Sequence, residues 1–371
     1  MKEENHILWI HDVFEDCAEE WDHAMISATS QQRNQITCLS CGASIFRTMP
    51  TRDRMHAIEG RFRLLQCVAC DLAFMQPQPT DAVLAAHYPD TYYAYIDGEV
   101  KSGPEPRLQR YPLSLLQRWT VQVPIRLWNR AFHLARNKIA PDRRLRATLS
   151  RTTDSGRCLD IGCGNGKLLD ALRAQGCDTF GIDISQKACD AARRKGHHTF
   201  CGEVTEARFP ETSFDLITMM HSIEHVRNPL STMTAVQRLL SPHGQVIIAT
   251  PNAGSWLFNV FRRWYWQVDS PRHLHLFSPQ AMRHLAQQTD LTVQDLYTGS
   301  DWWGVTVTAL YFLSDLLVWP HDRFLLGRDG SRVYWPMYKS YLRPVLDIFC
   351  LIADLYAKGD NLYVHLIHRD N

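Results

Sequence analysis

Leu159-Asp160-Ile161-Gly162-Cys163-Gly164-Asn165-Gly166 decides the fold. An apolar strand runs into a glycine-dense turn, and the turn opens a helix over 167–175 with Leu168, Leu169 and Leu172 on one face. Gly176 stops that helix, and Asp178-Thr179-Phe180-Gly181-Ile182-Asp183 reads as a second strand ending in a carboxylate. This is half of a nucleotide-type βαβ unit. Its glycines let the backbone approach a ligand, and Asp183 can accept hydrogen bonds from both hydroxyls of a ribose.

The spacing narrows the ligand. A dinucleotide turn is G-x-G-x-x-G, whereas this one is G-x-G-x-G with Asp160 two residues ahead of it. A carboxylate there suits a cationic group and repels phosphates; the bland alternative is a tight turn that binds nothing. Outward from the turn the alternation continues: a helix over 186–195, strands over 199–203 and 213–220, a helix from Pro229 to Leu240 and a strand over 245–250. Segments 291–298 and 361–367 read as the last two strands. The expected fold is α/β, a doubly wound Rossmann-like sheet whose ligands sit at the carboxyl ends of its strands.

Ahead of the sheet stand Cys38-Leu-Ser-Cys41 and Cys67-Val-Ala-Cys70. Two such knuckles aim four thiolates at one point, and with all positions filled the metal, Zn2+, is structural. Segments 44–48 and 61–66 read as the strands of a zinc ribbon. Two unrelated cysteine pairs or a redox disulfide is the competing reading.

Composition excludes little. Hydrophobic residues make up 45% and charged residues 21%, and the net charge of +1 gives no global drive towards nucleic acid. Eleven cysteines, an odd number in a large chain, and an acidic N-terminus without an apolar signal stretch predict a cytoplasmic protein. Charge is uneven: the first 22 residues carry eight acids and one base, and 107–138 carry seven bases and no acid. That basic stretch is either a solvated face over the ligand site or a peripheral contact with the inner face of a membrane. Tyr88, Tyr92, Tyr93 and Tyr95 either cap a small-molecule pocket or pack under the ribbon. Trp302 to Trp319 is apolar but marginal as a membrane span. Over 342–356 the apolar positions 342, 345, 346, 349, 352 and 356 oppose Arg343, Asp347 and Asp354, which predicts an amphipathic helix serving as a lid, a homodimer face or a membrane contact across 302–356.

Six motifs then carry a resemblance: the glycine turn, Gly181-Ile-Asp183, Ser213-Phe-Asp-Leu-Ile217, Glu224-His-Val226, Thr250-Pro-Asn252 and Pro271-Arg-His-Leu274. Together they resemble the class I S-adenosylmethionine-dependent methyltransferases of the ubiquinone-biosynthesis and sugar C-methyltransferase type, here with an N-terminal zinc ribbon. The resemblance implies an acidic segment at 1–35, a ribbon at 36–80, a helical cap at 81–150, a cofactor-binding core at 151–299, an apolar helical insertion at 300–358 between the last two strands, and the final strand at 359–371. It implies S-adenosylmethionine held by Asp160, Gly162, Cys163, Gly164, Gly166, Asp183, Ile184, Glu203, Met220 and His221. Asp160 and the turn would hold the methionine end, Asp183 the ribose and Glu203 the adenine amine. His225 is the candidate general base, with Glu224 as its orienting or second polar group, since a histidine takes protons near neutral pH. Some ubiquinone-pathway relatives hold a metal with acids around this loop, a pattern that His221 breaks. His273 and His275 are either near the acceptor entrance or structural.

The expected activity is methyl transfer to a small-molecule acceptor, a sugar nucleotide or a secondary-metabolite or polysaccharide precursor. The alternatives are O-methylation of a lipid-linked or quinone-type acceptor at a membrane surface, and an inactive zinc-ribbon scaffold. A dehydrogenase is disfavoured by the turn spacing. Removing a ribbon thiolate is expected to unfold the ribbon and leave the sheet folded.

Overall fold

A computed structural model describes residues 36–88, 156–316 and 343–369. The basic stretch at 107–138, the acidic start, Tyr92, Tyr93 and Tyr95 lie outside the described residues, as do residues 317–342 of the insertion.

A seven-stranded sheet carries the chain. Its parallel part is β4 (Arg157–Ile161), β5 (Asp178–Asp183), β6 (His198–Cys201), β7 (Phe214–Met220) and β8 (Leu240–Pro251). β10 (Leu291–Gly299) and β11 (Asn361–His368) complete it in the order β10-β11-β8-β7-β4-β5-β6, with β11 antiparallel between β8 and β10. β4, β7 and β8 are near-continuous apolar runs because both sheet faces are covered, and Leu159, Ile217, Val246 and Ile248 are fully buried. The crossovers include α2 (Lys167–Arg173), α3 (Gln186–Arg194) and α4 (Pro229–Leu239). The Ser185 and Asn228 side chains accept backbone N–H bonds that start α3 and α4.

The ribbon is β1 (Phe46–Arg52), β2 (Arg61–Cys67) and β3 (Ala73–Met75), followed by α1 (Asp81–Ala86). It does not stand apart. β3 pairs with β9 (His275–Leu276), so one four-stranded sheet, β1-β2-β3-β9, includes a strand from the far side of the larger one. Cys67, Cys70 and Leu72 share a core cluster with Leu159, Val236 and Leu285. Ser278 Oγ donates to the carbonyl of Cys70 at 2.5 Å, and Ser40 Oγ to that of Ala281 at 2.9 Å. α5 (Trp256–Phe261) and α6 (Pro279–Gln287) flank β9 in sequence.

The insertion contributes α7 (Trp302–Leu316) and α8 (Arg343–Leu355). Among the described residues no helix is long and apolar enough to cross a membrane. α8 turns its polar stripe inward: Asp347 is 1% exposed beside buried Cys350 and Ala353, and Ser300 Oγ donates to Asp354 at 2.6 Å. The apolar positions divide: Phe349 packs against Trp256 and the core, whereas Val345 (62%), Leu355 (64%), Ile348, Ile352 and Tyr356 are exposed.

Candidate active site and metal centre

The turn after β4 has Gly162, Gly164 and Gly166 at φ of 82°, 51° and 78°, the left-handed region that a side chain penalises. Gly162 has a second reason: a Cβ there would lie 2.6 Å from the Cβ of Ser222, so the turn and the end of β7 are in van der Waals contact. The turn spends its own donors. Gly162 and Cys163 N–H go to the Ile182 carbonyl, Gly166 N–H to that of Cys163, and Gly164 N–H to the Asp183 carboxylate at 2.9 Å. A phosphate cradle needs such N–H groups free and aimed at the ligand; this turn is unsuited to a pyrophosphate and compatible with a cationic amino-acid moiety.

Asp183 therefore holds the turn as well as facing the crevice. Its second oxygen accepts the Ser185 N–H at 2.9 Å, and each oxygen keeps a lone pair for a ribose hydroxyl. Burial raises its pKa from the ordinary aspartate value despite those N–H bonds. Ile184 follows at 70% exposure, an apolar surface fit to meet an adenine face. Asp160 lies beneath the turn, 3% exposed, accepting from Thr218 Oγ1 at 2.7 Å, and burial pushes it up to about 7. Glu203 stands past the end of β6, exposed, accepting from the Thr205 hydroxyl at 3.4 Å.

Met220 ends β7, and His221 follows at φ 53° with its N–H on the Ala249 carbonyl. The 3₁₀ turn Ile223–His225 comes next. With three residues per turn, neighbouring side chains diverge by about 120°, so Glu224 and His225 face different partners. Glu224 is fully buried; it takes the His221 imidazole at 3.3 Å and Thr250 Oγ1 at 3.0 Å. Burial opposes its charge, but His221, His225 and His273 outweigh that and hold it down to about 2. For His221, burial opposes charge and Glu224 prevails, leaving its pKa raised. His225 is oriented by other groups. Its Nδ1 donates to the Arg272 carbonyl at 3.0 Å, with the Tyr88 hydroxyl 3.2 Å from the same nitrogen. A carbonyl can only accept, so Nδ1 carries the proton and Nε2 presents a lone pair. Burial, then the nearby His273, push His225 down to about 4.

Sequence reasoning named the loop behind this histidine as a motif but gave Arg272 no role. Arg272 is fully buried, and its guanidinium donates to Asp269, to Asp53 at 2.8 and 2.9 Å and to the His87 carbonyl at 2.8 Å. His273 packs 4.7 Å from His225 and donates from Nδ1 to the Gln267 carbonyl at 2.7 Å. His275 is buried in β9, and burial pushes it down to about 4. Asp360, also missed, is buried next to β11, accepts the Asp301 N–H at 3.2 Å and is pushed up to about 7 by burial. Tyr88 alone of the four tyrosines is among the described residues, and it reaches the histidine.

Cys38, Cys41, Cys67 and Cys70 bring their sulfurs within 4.8 Å of one another, with Cys38 to Cys70 and Cys41 to Cys67 both 3.5 Å. A tetrahedral zinc–thiolate site has S···S edges of about 3.8 Å, so the four sulfurs fit Zn2+. The Cys70 thiol and backbone N–H groups lower the Cys38 pKa, while burial and neighbouring thiols raise those of Cys67 and Cys70, so without a metal the cluster favours one thiolate among thiols and a bound cation would draw off the remaining protons. Glu224, His225 and His273 also bring one donor each within 4.8 Å. One carboxylate among three donors is not the acid-rich oxygen set that magnesium takes.

Residues 131–296 match the family described as "Methyltransferase domain". A ubiquinone biosynthesis O-methyltransferase of Aromatoleum aromaticum is 34% identical over 38% of this chain and 65% of its own length. One of Thiobacillus denitrificans is 32% identical over 41% of this chain and 72% of its own length. The chain thus spans about two thirds of the length of these curated relatives. Among solved structures, an S-adenosylmethionine-dependent methyltransferase of Archaeoglobus fulgidus is 14% identical, covers 60% of this chain and 90% of its own, and has a TM-score of 0.39.

Proposed function

We propose that this chain, which belongs to the class I S-adenosylmethionine-dependent methyltransferases, transfers a methyl group to a hydroxyl on a small quinone-type acceptor, with His225 taking the proton. The observation that carries the reading is the contact between Gly162 and Ser222, which puts the cofactor turn against the segment that bears His225. S-adenosylmethionine, when bound, supplies an electrophilic methyl group. The chain's part is to bind, orient and accept a proton. Asp183 and Ile184 hold the nucleoside, Asp160 and the turn at Gly162, Cys163, Gly164 and Gly166 the methionine end, with Met220 and His221 at the end of β7 and Glu203 past β6. His225 offers Nε2, and Glu224 stabilises the imidazolium that results.

The acceptor class is supported by the names of the relatives and by the outward apolar stripe of α8, a surface suited to a lipid interface and so to a lipophilic acceptor. The sugar or secondary-metabolite acceptor expected from sequence has no such observation behind it. Incubation with methyl-labelled cofactor and hydroxylated quinone precursors, read by mass spectrometry, should give a methyl ether; label transferred to none of them, with cofactor bound, would sink the acceptor assignment. No calorimetric binding of S-adenosylmethionine would leave the scaffold reading standing.

Two further results are expected. Asp183→Asn should weaken cofactor binding about tenfold or more by calorimetry, since a charge-assisted hydrogen bond is worth about 1.5–3 kcal/mol; unchanged affinity would remove Asp183 from the ribose site. The protein should co-sediment with vesicles containing anionic lipid, and the double variant Val345→Asp, Ile352→Asp should stay in the supernatant. Equal pelleting of both would take α8 out of any membrane contact.

A further inference from the structure

We propose that Asp53, in the loop between β1 and β2 of the ribbon, is a positioning residue for His225: it anchors Arg272, whose carbonyl fixes the imidazole with Nδ1 protonated and Nε2 free. The proposal rests on His225 acting as the base, and goes beyond it by making the ribbon part of the catalytic apparatus.

Arg272 is a fully satisfied buried cation. Nε goes to Asp269, Nη1 to Asp53 and the His87 carbonyl, and Nη2 to Asp53 and Asp269. Asp53 takes its two bonds end-on, from Nη1 and Nη2, a planar bidentate geometry that fixes a guanidinium in angle as well as distance. Asp53 is itself held, accepting the His56 N–H at 2.9 Å, and its side chain is fully buried. The same hairpin grips the loop once more, where Ser270 Oγ donates to Thr51 Oγ1 at 2.8 Å.

From that clamp the loop reaches the candidate base by two bonds. His225 Nδ1 donates to the Arg272 carbonyl, and Leu274 N–H donates to the Glu224 carbonyl at 2.8 Å. The side chain and the carbonyl of one residue thus join Asp53 to His225. Asp269 cannot replace Asp53, because it lies within the loop and moves with it; Asp53 ties the loop to the β1–β2 hairpin, more than 200 residues away in sequence. Asp53→Asn keeps one acceptor and turns the other towards Arg272 as an NH2 donor, so one buried N–H loses its partner and the guanidinium one of its two counter-charges, which draws the loop towards water. The carbonyl moves with it, and the imidazole loses what distinguishes its two nitrogens.

The test needs no acceptor. In the full chain with zinc bound, long-range proton–nitrogen correlation of ¹⁵N-histidine-labelled protein reads each imidazole tautomer, with His225→Ala identifying the signal. Wild type should show His225 as the Nδ1–H tautomer alone near neutral pH. Asp53→Asn should give a mixture of tautomers or an exchange-broadened signal, with zinc content unchanged and S-adenosylmethionine affinity within about twofold of wild type; Asp53→Glu should restore part of the Nδ1–H signal. If Asp53→Asn fails to fold, Thr51→Ala loosens the same clamp more gently and is read in the same way. A folded variant whose His225 keeps the wild-type tautomer overturns the proposal. A shifted tautomer in Asp53→Asn together with undiminished turnover in His225→Ala would uphold the positioning and dismiss His225 as the base.

Discussion

His225→Ala should lower methyl transfer by about 100-fold or more and leave S-adenosylmethionine affinity within about twofold. The split follows from where the contacts lie. The proposed cofactor contacts belong to β4, β5, β6 and the end of β7, whereas His225 is held by Arg272 and Tyr88 from other parts of the chain. The pH dependence should differ from that of an ordinary histidine. Burial and His273 hold this imidazole at about 4, so the base form is present above that value. The wild-type rate should rise with pH through about 4 and be level by neutrality, and that limb should vanish in the variant. A pKa this low makes a weak base at equilibrium. It suffices here because a hydroxyl oxygen gaining a methyl group becomes strongly acidic, and the nearby Glu224, itself held anionic, offsets the new positive charge. Turnover near wild type in His225→Ala would move the role elsewhere; a rate limb near pH 6.5 would show that the imidazole is not desolvated as described.

The same two residues mark how far the sequence could be read. The glycine turn and the cysteine knuckles are local devices, in which the ligand set and the backbone demand fall within a few residues, and both are found where the spacing put them. The alternation of apolar strands with capped helices is periodic over 157–252 and points to the doubly wound sheet, though not to its strand order. Long-range polar pairing carries no such signature. Asp53 is a single charge in an unremarkable context, and nothing in the motif around Arg272 names its partner more than 200 residues away; the β3–β9 pairing joins their two segments in one sheet. Glu224 and His225 are neighbours in sequence, and the 3₁₀ turn gives them different hydrogen-bond partners while keeping them within charge range of each other. In α8 the spacing establishes two faces but not which one turns inward. Asp347 and Asp354 lie inward because polar groups, Ser300 among them, are there to meet Asp354.

The largest loss should come from the metal. Cys67→Ser, or prolonged treatment with a strong chelator, should unfold the chain as a whole instead of melting the ribbon alone. Sequence spacing suggested a module that could unfold by itself; the packing argues otherwise. Cys67 and Cys70 are fully buried in the cluster that contains Leu159 of β4 and Val236 of α4. The Cys70 carbonyl takes the Ser278 hydroxyl just ahead of α6, and Asp53 of the ribbon neutralises the buried Arg272. Structural zinc contributes about 10–16 kcal/mol of apparent binding free energy in small modules. A whole domain retains only about 5–15 kcal/mol of net stability. A cluster shared between ribbon and sheet cannot lose the first without exhausting the second. Metal analysis of wild type should give one zinc per chain, and calorimetric melting should show a single transition in which zinc release and loss of sheet structure coincide. Cys67→Ser should be recovered unfolded or aggregated. Two separate transitions, or a Cys67→Ser protein that still binds S-adenosylmethionine with wild-type affinity, would show that the sheet stands without the ribbon and that the shared core contributes little.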